Sequence, residues 1–172
     1  YNSETFIVFN KIGFLYSVLN RLIDYTMENN ISLVQTIVIR NKKFSKGELG
    51  FIESEDDIPF KIKRVFYNLG TEENQTRGNH AHKLCSQFLI CLRGSISITC
   101  DDGRNQKVYQ LNNPYEGLFI PPLIWSKQKY LSKESILVVL SDYKYDENGY
   151  IRDYSNFMLF KKNANTSDNK IN

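Results

Sequence analysis

The chain has 172 residues, enough for one domain with a sizeable core and too few for two comfortable ones. Its 41% hydrophobic and 24% charged residues are typical of a globular protein, and its formal charge of +3 is too small to imply nucleic-acid binding. No apolar run approaches the roughly 18 residues that span a bilayer, and residues 1–10 lack the basic and apolar regions of a secretory signal. We therefore expect a cytoplasmic protein that binds neither membranes nor nucleic acids.

The three cysteines, Cys85, Cys91 and Cys100, form no Cys-x-x-Cys pair. Cys91 and Cys100 lie in apolar, strand-like segments, so we expect small buried side chains rather than disulfides or metal ligands. Free thiols agree with a reducing compartment. The sequence does not begin with Met, which is compatible with an origin in a longer protein.

The first predicted element is an amphipathic helix over residues 12–27, ended by Asn29-Asn30. Its apolar positions recur at helical spacing, namely Ile12, Leu15, Leu19, Leu22 and Ile23. The other side carries Asn20, Arg21 and Asp24. We expect residues 1–32 to be a helical extension or linker that packs on the domain, mediates self-association or joins it to a preceding domain.

Short strand-like segments separated by turn residues follow this helix. They lie at 33–40, 48–53, 60–68, 79–83, 87–92, 95–100, 107–111, 117–120 and 135–141. Many short strands at this spacing predict a sandwich or barrel of the jelly-roll type, and eleven Tyr and eleven Phe suit a β-rich core. Residues 33–160 form the predicted domain, and residues 161–172 form a flexible polar tail.

The chain has only two histidines, His80 and His82. On a strand, side chains two residues apart point to the same face, so both imidazoles should enter the same space. A metal would need three or four good donors, but there is no third histidine, and Gln87, five residues after His82, is a poor ligand. Imidazole has an unperturbed pKa near 6.5, which suits proton transfer, so acid–base chemistry is favoured over a metal site or a purely structural role.

Three other side chains lie where a barrel wall is expected. Arg64 alternates with the apolar side chains at 60, 62 and 66, so it should point inward, either onto an anion such as a phosphate or into a structural ion pair. Tyr67 ends the same segment and could donate a proton or simply pack. Trp125 follows the Pro121-Pro122 turn and could stack on a ring or be structural.

An ordered set of segments runs through most of the chain. It comprises FKIKRVFY at 60–67, RGNHAHK at 77–83, LRGS at 92–95, DDG at 101–103, GLFIPP at 117–122, SDY at 141–143, YDE at 145–147 and YIRDY at 150–154. Together these segments, over residues 34–160, resemble the sugar nucleotide 3,4-ketoisomerases.

The resemblance implies an all-β fold, a cupin-type jelly-roll β-barrel, to which this sequence adds one N-terminal α-helix. It implies a homodimer that acts without a metal or other cofactor on dTDP-4-keto-6-deoxyglucose. It also implies cooperation with an aminotransferase that makes 3-amino-3,6-dideoxy sugars, and some relatives are fused to an acyltransferase.

The resemblance also implies the site residues. The family's paired histidines match His80 and His82, and its tyrosine matches Tyr67, which gives three catalytic candidates. The candidate substrate-binding residues are Arg64, Arg77, Gln87, Trp125, Ser126 and Lys46. The last two are departures, since relatives tend to have arginine where this chain has Lys46 and often have histidine where it has Ser126.

Moving a carbonyl from C4 to C3 requires removal of the C3 proton, an enediol(ate) and proton return at C4. We expect one histidine, His82 in preference, to abstract the C3 proton, while the other or Tyr67 shuttles protons between the oxygens. Arg64 and Arg77 are the candidates for the pyrophosphate. The alternatives are a 3,5-epimerase, a non-catalytic nucleotide-sugar-binding barrel and a metal-dependent cupin oxygenase.

Overall fold

A computed structural model describes residues 30–167, with side chains through residue 162. The helix predicted at 12–27 lies outside these residues. Across 30–167, no helix is long and apolar enough to cross a membrane.

Residues 35–151 form a series of short antiparallel strands. The strands are β1 (Gln35–Val38), β2 (Arg40–Phe44), β3 (Gly47–Phe51), β4 (Arg64–Asn68), β5 (Thr76–His82), β6 (Gln87–Arg93), β7 (Ile96–Asp101), β8 (Gln106–Leu111), β9 (Glu116–Ile120), β10 (Trp125–Tyr130), β11 (Ile136–Ser141) and β12 (Tyr150–Ile151). Short 3-10 turns occupy Ile31–Leu33 and Glu147–Gly149, and helix α1 spans Tyr154–Ser167.

Two five-stranded sheets pack face to face. Sheet I has the order β1-β9-β6-β11-β4, and sheet II has the order β12-β5-β10-β7-β8, while β2 and β3 form a separate hairpin. The core between the sheets takes Leu89 and Val139 from sheet I and Ile98 and Tyr130 from sheet II. This sandwich confirms the predicted jelly-roll class.

A different segment of the chain packs on the outer face of each sheet. Phe60 and Ile58, from the loop before β4, pack on Phe88 of sheet I. On sheet II, Phe157 of α1 is fully buried against Ala81, the residue between the two histidines. Helix α1 therefore supports the histidine strand from behind.

Several predicted element bounds are wrong. The segment 33–40 is divided at buried Ile39, where the chain passes from sheet I to the β2–β3 hairpin. Residues 60–63 are not a strand, because Phe60 and Ile62 pack on the outer face of sheet I. Helix α1 runs through residues 161–167, which overlap the predicted polar tail.

Three strands and one helix escaped prediction. Strand β2 shares only Arg40 with the predicted segment 33–40. Strand β10 turns Ser126 and Gln128 inward, so polar residues occupy two of its inward positions and its sequence shows no apolar alternation. Strand β12 has only two residues. Helix α1 begins after Asp153, whose carboxylate accepts a hydrogen bond from the Asn156 amide at 2.8 Å, as an N-cap does.

Candidate active site

Strand β5 directs both histidines into the space between the sheets. The His80 and His82 rings lie 5.0 Å apart between centroids, at an interplanar angle of 88°. Ala81 faces the other way, into the cluster beneath α1. The period-two prediction of a shared face is confirmed.

A β-bulge immediately before His80 sets the direction of this strand. Along β10, Ser126 pairs with His80 and Lys127 with Gly78, so Asn79 is the extra residue. Gly78 and Asn79 have φ values of 80° and 55°, and a Cβ at Gly78 would lie 3.0 Å from the carbonyl oxygen of Ser126. Glycine is therefore required where the two strands approach each other.

Burial keeps the two imidazoles neutral. His82 is only 7% exposed, and burial, helped by repulsion from the protonated form of His80 and from the Arg64 and Arg152 guanidinium groups, lowers its pKa from 6.5 to about 3. Burial also lowers the pKa of His80. Within the described part of the chain, His80 Nδ1 and His82 Nε2 are buried without a hydrogen-bond partner, so both rings keep a nitrogen free for other chemistry.

The Tyr150 ring contacts the rings of both histidines. The sequence analysis did not name Tyr150 as a site residue. Its ring centroid lies 5.0 Å from that of His80 and 4.4 Å from that of His82. The Arg152 guanidinium carbon lies 4.4 Å from the centroid of the Tyr150 ring, and Glu147 fixes Arg152 through a hydrogen bond of 2.8 Å. Strand β12 places Tyr150 directly opposite His82, a pairing between distant segments that no local sequence signal reveals.

Three neighbouring residues of sheet I form a row of polar side chains beside the histidines. Ser141 pairs with Arg64 on one side and with Gln87 on the other. The Arg64 Nε donates to Ser141 Oγ at 3.3 Å, and its guanidinium carbon lies 4.9 Å from the centroid of the Phe66 ring. Arg64 and His82 line one narrow cavity, so the structure brings these two predicted site residues together.

The β-bulge also brings Arg77 to the histidine face. Arg77 pairs with Gln128, and His80 pairs with Ser126, and both partners on β10 point inward. Arg77 donates to the Asn68 side chain at 3.4 Å, which places it at the end of β4. Arg77, Ser126 and Gln87 therefore join the histidines around the space between the sheets.

Three predicted site residues do not face the space that contains the two histidines. Tyr67 is 65% exposed on the outer face of β4. Side chains alternate along this strand, so Arg64 and Phe66 point inward and Tyr67 points outward. Trp125 faces α1, with its ring 5.2 Å from that of Tyr154. Lys46 lies in the exposed turn of the β2–β3 hairpin.

The donor set does not favour a metal. Among the described residues, no three His, Cys, Asp or Glu side chains are grouped so that they could hold a metal ion. The fold and the site instead define a cupin-type jelly roll with two imidazoles on one strand face between its sheets.

Comparisons with known proteins agree with this class. The family model described as FdtA, WxcM-like, C-terminal, matches residues 30–162. The TDP-4-oxo-6-deoxy-alpha-D-glucose-3,4-oxoisomerase of Aneurinibacillus thermoaerophilus is 41% identical over 125 residues, which are 72% of this chain and 90% of the relative.

Solved structures give the same result. QdtA, a sugar 3,4-ketoisomerase from Thermoanaerobacterium thermosaccharolyticum in complex with TDP, has a TM-score of 0.75 and 37% identity, covering 78% of this chain and 98% of QdtA. A 3,4-ketoisomerase from Helicobacter canadensis has a TM-score of 0.74 and 38% identity, covering 76% and 98%. The chain belongs to the WxcM-like family of sugar nucleotide 3,4-ketoisomerases and is an isomerase.

Proposed function

We propose that the protein converts TDP-4-keto-6-deoxyglucose into its 3-keto isomer. The observation that carries this proposal is the pair of imidazoles on one face of β5, with His82 buried and His80 half-buried, each with a lowered pKa and a buried ring nitrogen that has no hydrogen-bond partner. The relatives that are 3,4-oxoisomerases or 3,4-ketoisomerases supply the substrate class.

The reaction needs only proton transfers. A base takes the proton from C3, and the C3–H electron pair forms the C3=C4 double bond of an enediolate whose charge lies on O4. The first imidazole passes its proton to O4, the second imidazole takes the proton of the O3 hydroxyl, and delivery of that proton to C4 leaves the carbonyl at C3 and both imidazoles neutral. A neutral imidazole can accept the first proton, and we assign this step to His82 and the return step to His80. Preorganised hydrogen-bond donors to the developing oxyanion act more strongly in a buried site than in solution.

Tyr150, rather than Tyr67, is the tyrosine that contacts the two histidines. The Tyr67 side chain points away from the histidines, whereas the Tyr150 ring packs on both of them. We therefore assign Tyr150 to positioning the two imidazoles. Arg152 and Glu147 hold the Tyr150 ring from its other side.

The arginines suit the anionic end of the substrate. Arg64 and Arg77 flank the space between the sheets, and a guanidinium matches phosphate oxygens geometrically. We assign these two residues to the pyrophosphate, and Gln87 and Ser126 to sugar hydroxyls.

Homodimerisation, the cytoplasmic location and cooperation with an aminotransferase remain parts of this proposal. Strand β4 is an edge of sheet I. The exposed fractions of Val65 and Tyr67 in this strand, and of Leu69 just after it, are 58%, 65% and 59%. An exposed apolar edge of this kind is a candidate contact for a second copy. Cys85, Cys91 and Cys100 are all free and buried, which supports a reducing compartment.

Product analysis tests the proposed reaction. The purified protein is incubated with TDP-4-keto-6-deoxyglucose and the sugar is followed by NMR. We expect the carbonyl carbon to move from C4 to C3. Inversion at C3 and C5 with the carbonyl still at C4 would establish an epimerase instead, and unchanged sugar with bound TDP would indicate a binding protein.

A further inference from the structure

An apolar groove lies between the β7–β8 turn and helix α1. Its volume is about 640 Å³, and its lining includes Gly103, Tyr154, Met158 and Leu159. Tyr154, Met158 and Leu159 are 42%, 38% and 57% exposed. Helix α1 therefore buries Phe157 against sheet II but leaves a second apolar strip uncovered by the described residues.

The described chain begins at one end of this groove. The Ile31 amide donates to the Asp102 carboxylate at 2.8 Å, and the same carboxylate accepts from the amides of Arg104 and Asn105. Asp102 is 3% exposed and lines the groove. This bond fixes the point from which residues 1–29 must extend.

The segment that precedes this point has a matching apolar side. The sequence predicts a helix over residues 12–27, about 24 Å long, with Leu15, Leu19, Leu22 and Ile23 on one side. Four residue steps from 27 to 31 span at most about 14 Å, so the carboxyl end of this helix must lie near Asp102.

We propose that residues 12–27 dock in the groove formed by the β7–β8 turn and α1. The docked segment covers Met158 and Leu159 and presses α1 onto Ala81, the residue between the histidines. The groove is thus an internal docking surface for the amino-terminal extension. This inference does not depend on which sugar the protein converts.

Disulfide trapping in the full chain tests the docking. Leu19→Cys is combined with Leu159→Cys, and the matched control combines Arg21→Cys with Leu159→Cys, because Arg21 lies about 200° around the predicted helix from Leu19. The three native cysteines are buried, so the introduced pair reacts first. Because a disulfide requires close approach, we expect at least about fivefold more intramolecular disulfide in the Leu19 pair.

Equal yields in the two pairs would overturn the proposal. A disulfide that links two chains at low protein concentration would also overturn it, since a second copy would then occupy the groove. Before oxidation, the fluorescence of Trp125, the single tryptophan, reports whether α1 is packed in each variant.

Amide hydrogen exchange provides a second test. In the full chain, Leu19→Asp should increase exchange across residues 154–160 by about tenfold, because the apolar contact that holds α1 is lost. Asn20→Asp should leave it unchanged. Unchanged exchange in Leu19→Asp would contradict the docking.

Discussion

Acidifying the protein from pH 8 to pH 5 tests whether His82 is held neutral by burial. The His82 pKa is lowered to about 3 in the folded protein, whereas an unfolded histidine has a pKa of about 6.5. Below pH 6.5 the unfolded chain binds a proton that the folded chain does not, so the free energy of unfolding falls as pH falls. At pH 5 this difference amounts to about 2 kcal/mol, and it vanishes above about pH 7.

Replacing the imidazole removes this contribution. Between pH 8 and pH 5, His82→Gln should lose about 2 kcal/mol less stability than the natural chain, measured by urea unfolding with Trp125 fluorescence. Ser126→Ala alters the same pocket without an ionisable group and should keep the natural pH dependence.

Imidazole NMR gives a direct reading of the same quantity. The chain has only two histidines, so the signals of His80 and His82 can be assigned by one substitution each. The His82 signal should remain that of the neutral ring at pH 5. Titration of His82 near pH 6.5, or an equal loss of stability in His82→Gln and the natural chain, would refute this reasoning.

Three further predictions concern the site. His80→Asn and His82→Asn should each lower kcat by at least about a hundredfold with an unchanged circular dichroism spectrum; near-native rates in both would exclude the acid–base assignment. Tyr150→Leu should lower kcat about tenfold, whereas Tyr67→Phe should stay within about twofold, and the reverse order in a kinetic assay would restore Tyr67 as the site tyrosine. Gly78→Ala should destabilise the fold by about 1–3 kcal/mol in urea unfolding, because alanine is strained at its φ of 80°, and unchanged stability would show that the bulge relaxes.

The fold was predictable where a strand is marked by apolar residues between turn residues. Strands β6 and β11 are nearly continuous apolar runs and β7 alternates, and each was located within one or two residues. Strand β10 was missed because its inward Ser126 and Gln128 are polar. A strand that lines a polar cavity loses the signal that identifies strands in a core.

The site was predictable only from residues that share one strand face. Period two correctly paired His80 with His82, and the same rule predicts that Arg64 and Tyr67 lie on opposite faces. Tyr67 was nevertheless assigned to the site through the family resemblance. The bulge beside Gly78 shifts the alternation of inward and outward side chains by one residue. Because the sequence does not reveal this bulge, it did not predict that Arg77 and His80 lie on the same face.

Long-range pairing accounts for what the sequence could not show. Tyr150 reaches the histidines because β12 pairs with the end of β5. A two-residue strand carries no periodicity, and its partner lies almost seventy positions away in the chain. Trp125 was assigned to a substrate ring, but alternation along β10 turns it outward onto α1.

Solvent deuterium incorporation tests the proton-transfer mechanism most directly. The protein is incubated with TDP-4-keto-6-deoxyglucose in D₂O, and the sugar is analysed by NMR. The account predicts a 3-keto product with deuterium at C4 for the natural chain, and loss of this product in His80→Asn and His82→Asn. A 3-keto product without deuterium at C4, formed by direct transfer of a hydrogen from C3, would contradict it.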